Sequence, residues 1–305
     1  MTKINDIINE MKKTMSGKDT VLTWIVLTAL ANGHVLLEDI PGVGKTTIAV
    51  TLAKVLGLTH GRVQFTPDVL PSDITGFSVY QKESGTLVYQ PGVIFCNLFL
   101  ADELNRATSR TQSALLEAME EGQVTVDGIS RRLPDPFFVL ATQNPTGSAG
   151  TQLLPDSQID RFMVRLSIGY PDRRAEIRMA KDRMLSDPML TVKTVVSPAE
   201  FAAMKQQINR IYVHDEVIAY AVDLVEATRK DKNFAQGGSP RATLALIALA
   251  KAIAGYEERD YVLPKDIALA YPKVLTHRVH PHRDARLTVE AALDAILKQY
   301  RQPKV

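Results

Sequence analysis

The 305-residue sequence contains a single cysteine, Cys96, which excludes an internal disulfide. It has one tryptophan, and aromatic residues make up only 6%. No stretch interleaves aromatics with basic residues in the way that binds single-stranded nucleic acid. Neither sign of charge dominates: 36 Lys and Arg against 34 Asp and Glu leave a net +2. That balance supplies no global drive toward nucleic acid or a membrane surface. Long apolar runs are missing too. The longest, Val21 to Ala31, is interrupted by Thr23 and Thr28 and is too short to cross a bilayer. The opening MTKINDIINEMKKTM is amphipathic and has no apolar centre or cleavage site of a signal peptide. These absences predict a soluble, cytoplasmic protein with no membrane insertion and no primary role on nucleic acid.

What is present is an ordinary globular balance, 45% hydrophobic and 23% charged, at a length that suits two domains. Short apolar runs alternate with helical periodicity through about the first 170 residues. Val35-Leu36-Leu37, Leu98-Phe99-Leu100-Ala101 and Phe137 to Ala141 read as buried strands. Ile48, Ala49, Leu52, Ala53 and Leu56 recur at helical spacing, and Gly57 ends that helix. The expected class is α/β with a mainly parallel sheet. Two segments break the rhythm. Residues 66–92 are rich in Pro, Gly and Ser, with a turn near Ser84-Gly85, and residues 122–136 alternate around Asp127-Gly128, a hairpin signal. From Ser197-Pro198-Ala199-Glu200, a capping box with Pro at the first helical position, helical periodicity dominates. The predicted division is 1–190, an α/β domain, and 191–305, an all-α domain.

Pro41-Gly42-Val43-Gly44-Lys45-Thr46-Thr47 lies between the first strand and its helix. Glycines there let backbone N–H groups approach phosphate oxygens, and the helix N-terminus adds its dipole. Lys45 would reach the outer phosphates of ATP and Thr46 would place its hydroxyl on Mg2+. The full phosphate-loop pattern has a glycine where this chain has Asp39, so the match is the shorter one, and a helix-capping glycine turn with a solvated lysine is the lesser alternative for the loop alone. Asp102-Glu103 ends the second apolar strand, at the edge where parallel sheets bind ligands. Asp102 would hold Mg2+ and Glu103 would act as general base, though a strand-end acidic pair also serves as a helix cap.

Asn105-Arg106-Ala107 and Thr111-Gln112-Ser113-Ala114-Leu115-Leu116-Glu117-Ala118-Met119 then make the sequence resemble the MoxR family of AAA+ ATPases. Gln64 to Asp68, Pro71 to Gly76, Gln123 to Gly128, Ala141 to Pro145, Asp160-Arg161-Phe162 and Gly238 to Ala242 are similar to further blocks of that family. The resemblance implies an AAA+ αβα domain followed by a helical lid. It implies that Asn144 is the sensor-1 amide near the attacking water, and that Arg161 is an arginine finger for a neighbouring subunit. It also implies that Arg241 is the sensor-2 arginine. Arg241 would sit in the first turn of a helix begun by Pro240 and capped by Ser239, where a cation opposes the dipole and suggests an anionic partner. A homo-oligomeric ring of six, a separate partner with a von Willebrand A domain and a protein client that is remodelled or activated are what the family implies. A nucleotide-dependent scaffold with little turnover and a nucleic-acid-acting ring ATPase are the alternatives. Cys96 is expected to be buried and inert, and Trp24 to make a core or lid contact. His277, His280 and His282 match no common zinc spacing and are expected on a polar surface segment.

Overall fold

A computed structural model of the chain describes residues 3–40, 42–144, 154–185 and 187–304. Two helices, α1 (Lys3–Met11) and α2 (Asp19–Leu30), precede strand β1 (Val35–Glu38). Helix α3 (Lys45–Val55) leads to β2 (His60–Gln64), and a short helix α4 (Pro71–Thr75) opens a hairpin of β3 (Gly76–Gln81) and β4 (Thr86–Pro91). Next come β5 (Leu98–Asp102), α5 (Ser109–Glu121), the hairpin of β6 (Gln123–Val126) and β7 (Ile129–Arg132), and β8 (Phe138–Gln143). Helix α6 (Asp156–Ile159), β9 (Val164–Leu166) and α7 (Arg173–Leu185) follow. The remainder is helical: α8 (Pro198–Asn209), α9 (Asp215–Lys230), α10 (Pro240–Tyr256), α11 (Pro264–Leu275) and α12 (Val289–Gln299). A small ladder of β10 (Phe234–Gln236) with β11 (His280–Pro281) joins them.

Strands β2-β5-β8-β1-β9 form one sheet in that order, all parallel. The two-residue side-chain period splits their apolar residues between two layers. Leu98, Leu100, Val35 and Leu37 join α1, α2, α3 and the later helices, whereas Phe99, Ala101, Leu36 and Val139 join α5. Both faces are covered, so β5 and β8 are buried along their whole length, and each large apolar side chain so buried stabilises the fold by ~1.5–3 kcal/mol. Helix α2 ties the two parts together by packing on α8 and α10, and the Lys273 ammonium lies 5.8 Å from the Trp24 ring. The expected lid contact of Trp24 is therefore present, and Cys96 is buried with its thiol pKa pushed up to about 11 by burial.

Both interrupting segments are hairpins. Asp127 and Gly128 have φ of 54° and 74°, the left-handed pair that a two-residue turn between Val126 and Ile129 requires. Ser197 and Glu200 form the expected reciprocal cap, the Ser197 N–H donating to Glu200 at 2.8 Å and the Glu200 N–H to the Ser197 hydroxyl at 3.2 Å.

Two buried histidines set a pH dependence. His34 Nδ1 accepts from the Val139 N–H at 3.0 Å, so Nε2 carries the proton and faces the Met119 carbonyl at 3.2 Å. Burial pulls the His34 pKa down to about 4, and pulls that of His277 well below the ordinary value. The unfolded chain binds these protons near pH 6.5 and the folded chain does not. Stability is therefore full above pH 6.5 and falls as pH drops, by about 2 kcal/mol at pH 5 from His34, with His277 acting in the same direction. Urea midpoints measured from pH 7.5 to 5 should fall accordingly, and His34→Asn should flatten that slope by about one proton. An unchanged slope in His34→Asn would show that His34 does not resist protonation.

Candidate functional site

Three strand ends deliver the first group of polar side chains to the carboxyl edge of the sheet. After β1 the chain turns through Gly42 and Gly44, at φ of 86° and 97°, into α3. These left-handed values suit glycine and aim the turn's backbone and the α3 N-terminus at one point, the geometry that receives phosphate. Val43 packs against the core, and Thr46 and Thr47 lie half-buried in the first turn. Pro41 lies outside the described residues.

Lys45 is buried and donates to the Asp39 carbonyl at 2.7 Å and to Asn144 Oδ1 at 3.1 Å. Burial lowers its pKa, opposed by the carboxylates of Asp102, Asp39 and Glu103. Asn144, just past β8, donates from Nδ2 to Glu103 Oε1 at 3.2 Å. One amide thus bridges the lysine and the acid. Glu103 sits at φ 57° and takes Arg106 at 2.8 Å, a hydrogen bond that holds its carboxyl below the usual range. Asp102 accepts from the Thr142 hydroxyl at 2.7 Å and from Arg62 at 2.8 Å. The predicted residues Lys45, Asp102, Glu103 and Asn144 therefore stand together. Arg62, Arg106 and Thr142 are additions that one-dimensional reading did not assign, because two of them reach the acids only across neighbouring strands.

Asp39, where the full phosphate-loop pattern has glycine, has a task of its own. Its carboxylate accepts from the Ile168 and Gly169 N–H groups and the Ser167 hydroxyl. Lys18 donates to the carbonyls of Ile168, Gly169 and Tyr170, so the turn after β9 is held from both sides.

Arg161 and Arg241 are elsewhere. Arg161 precedes β9 and donates from Nε to Glu120 at 2.9 Å; Arg241, in the first turn of α10, contacts the other oxygen of Glu120 at 2.5 Å. Glu120 lies in the last turn of α5, and His34, before β1, lines the same open cleft of about 280 Å³. This cleft lies at the amino edge of the sheet, a β1 length away from the phosphate loop, roughly 13 Å at 3.3 Å per residue. No side-chain hydrogen bond joins the two groups among the described residues.

Two details differ from expectation. The Ser239 hydroxyl does not cap α10; it is directed to the Asp160 carboxylate, at 3.1 Å from one oxygen. The expected polar surface holds for the exposed His282 and in part for the half-buried His280, but not for His277, which is buried together with Arg278. Arg278 donates to Asp160 Oδ1 and to the carbonyls of Asp160, Phe162, Met163 and Val274, at 2.7 to 2.9 Å. It occupies a site made by the chain around Arg161, which sequence spacing could not reveal.

The donor set suits Mg2+. Asp102 and Thr46 offer hard oxygens, and this ion takes few protein ligands because phosphates and water fill the rest.

A phosphate-ready loop, an acidic strand end and a polar strand end on a five-stranded parallel sheet, followed by an all-α part, define an AAA+ module. Residues 34–164 match the ATPase family associated with various cellular activities (AAA), and residues 226–298 match the AAA lid domain. The sequence is 42% identical to the uncharacterised protein YeaC of Bacillus subtilis, over 97% of this chain and 93% of that protein. It is 36% identical to Chaperone MoxR1 of Mycobacterium tuberculosis, over 98% of this chain and 82% of that one. A crystal structure from Cytophaga hutchinsonii, described as a candidate ATPase, superposes with a TM-score of 0.91 at 35% identity, covering 99% of this chain and 95% of that one. The chain belongs to the MoxR family of AAA+ ATPases.

Proposed function

We propose that this protein binds ATP with Mg2+ and hydrolyses it at sites shared between copies arranged in a ring. The first of the two divisions, 1–190, carries the nucleotide site and the second, 191–305, acts as the lid. The observation that carries the shared site is the separation of Arg161 and Arg241 from Lys45 by the depth of the sheet. Two guanidiniums at the amino edge are out of reach of phosphates on their own chain's loop and available to a neighbour's.

In this reading Lys45 and the loop N–H groups neutralise and orient the phosphates. Thr46 and Asp102 would hold Mg2+, which supplies charge neutralisation at the transferring phosphoryl group. Glu103 accepts a proton from the attacking water, which Asn144 aligns. The neighbour's Arg161 and Arg241 stabilise charge developing on the outer phosphate. Turnover then drives the remodelling or activation of a protein client, in line with the name of the mycobacterial relative as a chaperone. A ring of six, a separate partner with a von Willebrand A domain and a cytoplasmic location complete the proposal. No helix among the described residues is long and apolar enough to cross a membrane.

The test is ATPase rate against protein concentration, together with mixing of Glu103→Gln and Arg161→Ala. Specific activity should rise with concentration. The mixture should regain part of the turnover each variant lacks, because intact catalytic groups from one meet intact arginines from the other. A species that sizes as a monomer and turns over at a concentration-independent rate would overturn the shared site.

A further inference from the structure

Glu120 lies in the last turn of α5, where a carboxylate opposes the helix dipole and no basic residue offsets it locally. Its two oxygens are divided between Arg161, which comes from the connection into β9, and Arg241, which comes from the lid helix α10. The carboxylate is therefore the meeting point of two arginines from distant parts of the chain. It engages Arg161 through Nε, the inner nitrogen, so the outer pair of that guanidinium is not occupied by Glu120. Arg241 gives one terminal nitrogen to Glu120, and its other lies 3.6 Å from Asp160.

Two observations separate this from a stabilising ion pair. The side chains are 30%, 44% and 41% exposed for Arg161, Glu120 and Arg241, a range in which ion pairs add little to folding. The charges also do not cancel. Three guanidiniums, Arg161, Arg241 and the buried Arg278, share two carboxylates, Glu120 and Asp160, which leaves a surplus positive charge beside the open cleft. Without Glu120 the two guanidiniums would repel and lose their common orientation.

We propose that Glu120 is a positioning residue that sets Arg161 and Arg241 side by side as one two-armed clamp for the phosphates bound by a neighbouring copy. This rests on the shared-site reading above. In this reading Glu120 contacts neither the nucleotide nor the attacking water; it acts through the two arginines, and it acts in trans.

The experiment is steady-state ATPase kinetics of Glu120→Ala, alone and mixed. Its kcat should fall about 10- to 100-fold, the cost of misplacing a transition-state group, while KM for ATP and the melting temperature stay near those of the parent. Glu120→Gln, which keeps the shape, should fall in the same direction, and Glu121→Ala should be unaffected. Mixing Glu120→Ala with Glu103→Gln should restore turnover, because the second variant lends correctly held arginines. Mixing Glu120→Ala with Arg161→Ala should restore none, since both lesions lie on the same side of the interface. Parental or raised kcat in a folded Glu120→Ala, or rescue by Arg161→Ala, overturns the inference alone if Glu103→Gln and Arg161→Ala still complement each other. Failure of that last pair to complement overturns the shared site and this inference with it.

Discussion

Glu103→Gln is expected to keep nucleotide binding and to lower turnover by about 10²- to 10⁴-fold, which corresponds to ~3–5 kcal/mol in the barrier. The side chain keeps its size and its one carbonyl oxygen can still accept from Arg106, while the bond that Oε1 accepted from Asn144 is lost, so the site's outline should survive. What it loses is the basic oxygen. Arg106 and Asn144 hold the Glu103 carboxyl below its usual pKa, so it is ionised at neutral pH and ready to take a proton. Lys45, which contacts Asn144 and not Glu103, keeps its own partners in the variant. Fluorescent-nucleotide titration and phosphate release measured on the same sample separate the two effects. Near-parental turnover with normal binding would place the base elsewhere.

Arg278→Ala should lower stability by ~3–5 kcal/mol, a fall in melting temperature on the order of 10 °C. The reason is accounting of hydrogen bonds rather than charge alone. The guanidinium serves the Asp160 carboxylate and four carbonyls from a position 2% exposed. Removing it strands the Met163 and Val274 carbonyls and the Asp160 carboxylate's buried side, and each unsatisfied buried group carries a penalty. Phe162 keeps a partner in His277 Nε2 at 2.9 Å, and Asp160 keeps Ser239. Arg278→Lys should recover only part of the loss, because an ammonium is a point charge without the planar fork that spans these acceptors. Calorimetric scans would decide it: a melting temperature within about 2 °C of the parent in Arg278→Ala would show that the lid and the segment before β9 are held by apolar packing instead.

Much of the first group of site residues was legible in the order of amino acids. Gly42 to Thr47 and Asp102-Glu103 are local patterns, each written at the end of a strand whose apolar run is itself visible. A parallel sheet carries such strand ends to one edge, so sequence adjacency was enough to predict that Lys45, Asp102 and Glu103 meet, whereas Asn144, which bridges Lys45 and Glu103, was named by resemblance. The hairpin at Asp127-Gly128 was equally local, since the turn demands two left-handed residues.

The second group was not legible in that way. Arg161 and Arg241 were named by resemblance, but nothing along the chain said that one carboxylate, Glu120, would hold both. The misplacement of His277 on the surface has the same origin: its polarity argued for solvent, and only the fold supplied the buried Phe162 carbonyl that it contacts. By itself, then, the sequence determined the strands, the phosphate loop, the acidic strand end and the helical second part, because each depends on neighbours within a few residues. The tertiary structure decided what Asp39, Ser239 and Arg278 bind and which edge of the sheet receives each arginine. Those outcomes depend largely on hydrogen-bond partners brought from 41 residues away, for Arg161 and Glu120, to 130, for Gly169 and Asp39, and no local pattern encodes where such partners will stand.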